Sequence, residues 1–286
     1  MSKPVVIGEC SCNHQGRMVL AEQMVSALAF AGCDVAKFQK RTLSLMPEEL
    51  KNKPYDNPNS FGKTYYEHRK ILEFSMDEHK QLVTMCKKYG IGYSCSVWDK
   101  QAARDIARGI NPALIKVPSA ANTNFDMIQW LCTKYSGEVH ISLGMTTKEE
   151  KEAIYDFIKR TGQAYRVVVY LCTSAYPCTF ADVYLKDLDM LFDWRKHLGL
   201  KGVGYSGHHL GIALDIAVAT MGVTHIERHF TLDRTMKGTD HAASLEPDGL
   251  RKLVRNLGAL DEAMKKSDYG LKAVEKSNRE KLKCGQ

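Results

Sequence analysis

Apolar and polar positions along this chain follow two alternating periods. Short runs rich in β-branched and apolar residues, PVVIGECS, VAKFQ, IGYSCSV, ALIKVPS, VHISLG, RVVVYLCT, GVGYSG and HIERHFT, read as strands. Between and after them lie stretches with helical spacing: LAEQMVSALAFAG, MDEHKQLVTMCKKYG, KQAARDIARG, NFDMIQWLCTKY, KEEKEAIYDFIKRTG, LKDLDMLFDWRKHLG, GIALDIAVATMG and PDGLRKLVRNLGALDEAMKK. Gly32, Gly90, Gly162, Gly199 and Gly222 stand where five of these helices should end in a left-handed cap. Eight strand–helix units in strict alternation predict a parallel sheet. Their number and length predict an α/β protein, a single-domain (β/α)8 TIM barrel over residues 1–270 followed by a basic C-terminal tail at 271–286. An open, doubly wound sheet is disfavoured, because ECSCNHQG follows the first strand where a Gly-rich dinucleotide turn would be needed. Residues 41–75, holding PYDNPNSFGKTYYEH, form the one irregular stretch and are a candidate lid or interface loop.

Composition narrows the class. The chain has 286 residues, 44% hydrophobic, with a formal charge of +7. Residues 265–286 carry seven Lys or Arg against three acids, so the barrel itself is only mildly basic. No basic face interleaved with aromatics suggests nucleic acid. No run approaches the roughly 18 apolar residues of a membrane span. The chain starts directly in a strand-like run, and its nine cysteines are odd in number and mostly set among apolar residues, which predicts a reduced, cytoplasmic protein. Cys10, Cys12 and His14 have no second ligand pair at a familiar spacing, so these cysteines read as buried fillers rather than zinc ligands.

The candidate chemistry sits at the strand ends, which in a TIM barrel converge on one pocket. Glu9 and Asn13 follow the first strand; Lys37 and Gln39 lie in the second, Ser96 in the third, Lys116 and Ser119 at the fourth and Ser142 at the fifth. Thr173, Ser174 and Tyr176 follow the sixth strand, Ser206 and His208 end the seventh, and Glu227 and His229 lie in the eighth. In HIERHFT, strand alternation places His225, Glu227, His229 and Thr231 on one side. Two lysines in strands buried on both faces, ringed by hydroxyls, predict a site for a phosphate or carboxylate; the competing arrangement pairs Lys37 internally with Glu9 or Glu227. His208 and His229, from adjacent strands and with a carboxylate nearby, form a candidate site for a divalent metal with open positions. Asp240 and His241, in the polar segment after the eighth strand, are placed to read substrate hydroxyls.

The runs GECSCNHQG, VAKFQ, IKVPS, ISLGM, LCTSAYP, YSGHH and IERHFTLDRTMKGTDHAASLEP resemble the sialic acid synthase family over nearly the whole chain. The resemblance implies a cytoplasmic barrel enzyme that condenses phosphoenolpyruvate with the aldehyde of an open-chain aldose. The products are a sialic-acid-like 3-deoxy-2-ulosonic acid and phosphate. It implies manganese or magnesium on His208 and His229, which with Glu9 make the catalytic set. It further implies a phosphoenolpyruvate pocket of Lys37, Ser96, Lys116, Ser119, Ser142, Tyr176 and Ser206, and sugar contacts from Gln39 and Asp240. A homodimer is usual in the family.

The chain departs from the family pattern at Ala120 and Ala121, where Gly-Glu is frequent, at Ser174, where Asn is frequent, and at Gly207, where Asp precedes the metal histidine. The antifreeze-like domain that usually follows the family's barrel is expected to be missing, which favours a smaller or differently decorated sugar. Two alternatives stand beside this reading. One is a synthase of a shorter octulosonic or heptulosonic acid, from a pentose or tetrose that would be phosphorylated if Arg41 or Lys63 serves a second phosphate. The other is a non-catalytic barrel that binds a sugar acid or phosphate.

Overall fold

The computed structural model describes residues 3–284. Eight parallel strands close into a barrel in sequence order: β1 (Val5–Glu9), β2 (Val35–Lys40), β3 (Gly92–Val97), β4 (Leu114–Val117), β5 (Glu138–Ser142), β6 (Val167–Cys172), β7 (Gly202–Gly207) and β8 (His225–His229), with β8 pairing back on β1. The helices are α1 (Met18–Ala31), α2 (Glu48–Lys51), α3 (Tyr65–Leu72), α4 (Met76–Lys88), α5 (Lys100–Gly109), α6 (Phe125–Lys134), α7 (Lys148–Thr161), α8 (Leu188–Leu198), α9 (Ala213–Met221), α10 (Pro247–Ala263) and α11 (Lys276–Leu282). The expected (β/α)8 barrel is therefore the observed one.

Strand alternation divides the protein into two chemistries. The outward positions Val6, Phe38, Cys95, Ile115, Ile141, Val169, Val203 and Ile226, one from each strand, are wholly buried against the helices and make the apolar core. The inward positions are largely polar or ionisable, among them Glu9, Lys37, Ser96, Lys116, His140, Ser206 and Glu227, all buried. Capping fixes the helix starts: Ser75 and Thr147 accept the N–H of Glu78 and Glu150, whose carboxylates return the bond. The left-handed caps fall where the sequence puts them, at Gly32 (φ 83°) and Gly222 (φ 101°) for example.

Residues 41–75 are more ordered than their composition suggests. They contain α2 and α3, and α3 begins at a reciprocal capping box between Thr64 and Glu67. Tyr55, Tyr65 and His68 pack together, with ring centroids 4.7 to 6.3 Å apart. The cysteines at 10 and 12 are buried in the core, and none of the nine is in a disulfide. No helix among the described residues is long and apolar enough to cross a membrane.

Candidate active site

At the C-terminal ends of the strands the barrel encloses a cavity of about 250 Å³. Every residue anticipated for the phosphoenolpyruvate, sugar and metal contacts lines it: Glu9, Lys37, Gln39, Ser96, Lys116, Ser119, Ser142, Tyr176, Ser206, His208, His229 and Asp240. Register explains the convergence. Glu9 lies beside Lys37 on one side and His229 on the other, Ser96 lies between Gln39 and Lys116, and Ser206 pairs with Glu227.

Two buried ion pairs cross the base of the cavity. Lys37 Nζ lies 2.5 Å from Glu9 Oε2 and donates to Ser96 Oγ, also at 2.5 Å; Lys116 Nζ lies 2.7 Å from Glu227 Oε1. The internal lysine–glutamate pairing held open in the sequence is thus what forms, and two cations meet two anions. The lysines alone do not require an exogenous anion, which corrects the stricter expectation. What points to a ligand is incomplete satisfaction. Ser142 Oγ, Glu227 Oε2 and His229 Nδ1 are buried and have no hydrogen-bond partner.

The two carboxyls differ electrostatically. Burial raises Glu9 above the ordinary carboxylate range, and Lys37 only partly offsets it. Burial acts in the same sense on Glu227, but Lys116 and Lys37 together outweigh it and hold that group at about 2. Burial lowers Lys116 despite Glu227, whereas Lys37 is raised because Glu227 and Glu9 overcome its burial.

His208 and His229 face each other above this base, with centroids 5.1 Å apart. His208 Nδ1 lies 2.7 Å from the Thr173 carbonyl, which can only accept, so Nδ1 carries a proton and Nε2 is the nitrogen left for a ligand. Burial drives His229 down to about 3, against the opposing pull of Asp240, whose Oδ2 is 3.5 Å from His229 Nδ1. Two imidazoles, one oriented by a carbonyl and one with an unpartnered ring nitrogen, suit a divalent metal. Tyr176 packs on both rings, 4.2 and 5.5 Å away, and so sits beside the histidines as well as in the cavity wall. Gln39 donates to Glu9 and Ser11, and Asp240 accepts from Ser11 and Thr239.

Not every strand-end residue belongs here. Asn13 bonds the Phe230 carbonyl and Ser244 Oγ and braces the loop after β8 instead of entering the cavity. His241 bonds Thr231, and Lys63 is exposed and off the cavity. Conversely, Arg69, Trp98 and Cys172 line the cavity without having been singled out. Arg69 lay in a segment whose helical phase depends on the Thr64 cap, so only its charge in an apolar helix face with Leu72 could have signalled it.

The match to known proteins agrees with this layout. The NeuB family model matches residues 24–269. The chain is 34% identical over 278 residues to N-acetylneuraminate-9-phosphate synthase of Mus musculus, covering 97% of this chain and 76% of that protein. It is 30% identical over 285 residues to N,N'-diacetyllegionaminic acid synthase of Campylobacter jejuni, covering 99% and 83%. In fold it is similar to the crystal structure of N-acetylneuraminic acid (sialic acid) synthetase from Leptospira borgpetersenii, with a TM-score of 0.79 at 24% identity over 98% of this chain and 92% of that one. This protein belongs to the NeuB family of sialic acid synthases.

Proposed function

We propose that the protein condenses phosphoenolpyruvate with the aldehyde of an open-chain aldose, releasing phosphate and a 3-deoxy-2-ulosonic acid of the sialic acid type. The observation that carries this reading is the joining of a lysine–serine cradle, two carboxyls of opposite protonation tendency and a histidine pair in one cavity. Lys37, Lys116 and the hydroxyls of Ser96, Ser119, Ser142 and Ser206 would hold the phosphate and carboxylate of phosphoenolpyruvate through donors already in place. Its C3 forms the new bond to the aldehyde carbon, water adds at C2, and the C2–O bond to phosphate then breaks. Glu9, raised toward neutrality, suits the group that takes the proton from that water; Glu227, held ionised, suits a fixed counter-charge for the lysines. His208 and His229 would hold a divalent metal, manganese or magnesium, which when bound supplies a Lewis acid to the aldehyde oxygen. Gln39 and Asp240 would orient the sugar.

A specific observation favours an acceptor that carries a phosphate ester. Arg69, only 7% exposed, lines the cavity yet makes no ion pair or hydrogen bond with the described residues; its nearest aromatic face is Tyr65, 5.9 Å away. Burial disfavours the Arg69 charge and neighbours including Glu73 and Asp240 oppose that, yet its Nε has no partner, so an anion in contact would complete its hydrogen bonding. Arg41, stacked at 3.6 Å on Trp98, adds a second guanidinium to the same wall. The product in the mouse relative's name likewise carries a phosphate.

The test is phosphate release from phosphoenolpyruvate with manganese, across aldoses from tetroses to N-acylated hexosamines, each free and phosphorylated. Release that requires one sugar and disappears in His229→Ala supports the reading; release with no sugar in the panel removes it. Arg69→Met should raise KM for a phosphorylated acceptor about tenfold or more, the worth of one charge-assisted hydrogen bond, and leave KM for phosphoenolpyruvate unchanged. Equal effects on both would assign Arg69 to the fold.

A further inference from the structure

The floor of the barrel carries a second cluster of ionisable groups that the condensation does not use. Glu138 and His225 are the first residues of β5 and β8, so in a parallel barrel they lie at the end opposite the cavity, which is lined by Ser142 and His229 from the far ends of the same strands. β6 and β7 separate β5 from β8 in the sheet, and β7 leaves the interior open here. A Cβ on Gly204 would fall 2.4 Å from the Tyr170 ring, and one on Gly202 would fall 2.1 Å from Thr224 Oγ1. Space released by those glycines is filled by Tyr170, Thr224 and two imidazoles, His140 and His225, whose centroids are 4.9 Å apart.

Hydrogen bonding leaves one imidazole nitrogen of this cluster without a partner. Thr224 Oγ1 donates to the Val203 carbonyl at 3.0 Å, which commits its only proton. The 2.8 Å contact between Thr224 Oγ1 and His225 Nδ1 is therefore Nδ1–H donating to the hydroxyl oxygen. His225 Nε2 then faces Glu138 Oε2 at 3.9 Å with no hydrogen bond between them. His140 Nε2 lies 3.1 Å from the same Glu138 oxygen, and its Nδ1 is 2.7 Å from the Tyr170 hydroxyl.

We propose that Glu138, His140 and His225 form a second cation site, for a borderline divalent metal such as zinc, that staples β5 to β8 across the barrel floor. One ligand atom from each residue lies within 4.8 Å of the others. Tetrahedral zinc with bonds of about 2.0–2.1 Å separates neighbouring ligand atoms by about 3.3 Å, and the 3.1 and 3.9 Å separations bracket that value. A donor set of two imidazoles and one carboxylate selects zinc, cobalt or nickel over magnesium, which prefers oxygen. Lys201 Nζ approaches the other carboxylate oxygen, Glu138 Oε1, at 3.5 Å, leaving Oε2 for the metal and tempering the affinity. Glu138 is partly exposed, so it gives an entry path and a position for water.

Cobalt(II) titration of the intact chain, followed by visible d–d absorption and by melting temperature, tests the assignment independently of turnover. We expect tetrahedral cobalt absorption that persists in the His208→Ala/His229→Ala double variant and is lost when Glu138→Gln, which keeps the side-chain shape, is added to it. Thr224→Val, which removes the hydroxyl behind His225, should weaken cobalt binding by about 10- to 100-fold. Absorption that survives Glu138→Gln in the double-variant background, or a double variant that binds no cobalt, would overturn the site.

Discussion

The barrel holds two histidine pairs of similar ring geometry, one at each end, and β8 contributes a member to both. At the mouth His208 and His229 stand 5.1 Å apart at 60°; at the floor His140 and His225 stand 4.9 Å apart at 79°. Their surroundings differ. The mouth pair is backed by the Thr173 carbonyl and Asp240 and opens onto a cavity floored by two lysine–glutamate pairs. The floor pair is backed by the Tyr170 and Thr224 hydroxyls, shares one carboxylate, and has no cavity on its inner side among those described. An imidazole pair offers ligand atoms for a cation at either end, while the adjoining charges and free volume decide whether chemistry can follow. The mouth also holds two buried oxygens without a partner, Ser142 Oγ and Glu227 Oε2.

Exchanging one histidine at each end gives the largest expected contrast. His229→Ala should lower kcat/KM for condensation by about 10²- to 10³-fold, roughly 3 to 4 kcal/mol, as expected when one preorganised electrostatic contact at the reacting carbonyl is lost. His225→Gln should leave kcat/KM near the wild-type value and change only the melting temperature with added zinc. Steady-state phosphate release on both variants checks this. Comparable losses of turnover would mean that the two ends act as one unit and that the comparison fails.

Much of this arrangement was legible in the chain, for local reasons. Period-two alternation put His225, Glu227 and His229 on one face of β8, and βα repetition turned that face inward, so the mouth residues could be named before any contact was known. What stayed hidden depends on contacts distant in sequence. The carboxylate each lysine would choose was open until register set Glu9 beside Lys37 and Lys116 reached across the barrel to Glu227. Glu138 and His140 alternate on β5 as plainly as the β8 residues do, yet their meeting with His225 depends on Gly202 and Gly204 of an intervening strand. Arg69 required the phase of α3, which a single cap at Thr64 sets.

Acidification should separate the two ends by a smaller amount. Glu227 is held at about 2, against 4.5 for an unstrained glutamate, with burial opposing and Lys116 and Lys37 prevailing. A depressed carboxyl contributes stability that is complete above the unfolded value and is lost as pH falls from about 4.5 toward 2, here on the order of 3 kcal/mol. Glu9, raised, acts in the opposite sense as pH climbs above the unfolded value, so it does not mimic this loss. Glu227→Gln should flatten the dependence of unfolding free energy on pH in that window. Glu138 is also held near 2, by the His140 hydrogen bond against burial, but it is partly exposed and solvent screens it, so Glu138→Gln should flatten the curve less. Denaturant titrations from pH 2 to 5 would show the ranking, and equal slopes in both variants would contradict it.

The finest test concerns one hydroxyl. Ser142 is buried at the end of β5 with an oxygen that no protein group satisfies, whereas the Thr224 hydroxyl at the floor is fully engaged. Removing an unpaired buried hydroxyl costs the fold little, because no bond is lost and a desolvated group disappears. Removing a paired one leaves its partners orphaned, at about 1–3 kcal/mol. Ser142→Ala should therefore keep its unfolding free energy within about 0.5 kcal/mol of wild type, while KM for phosphoenolpyruvate rises by about tenfold, the worth of one hydrogen bond to a charged ligand. Thr224→Val should show the reverse, destabilised with KM unchanged. Should Ser142→Ala instead lose stability and keep its KM, the unfilled oxygen at the mouth would be an accident of packing, and an unpaired hydroxyl would no longer distinguish the reacting end of the barrel from its floor.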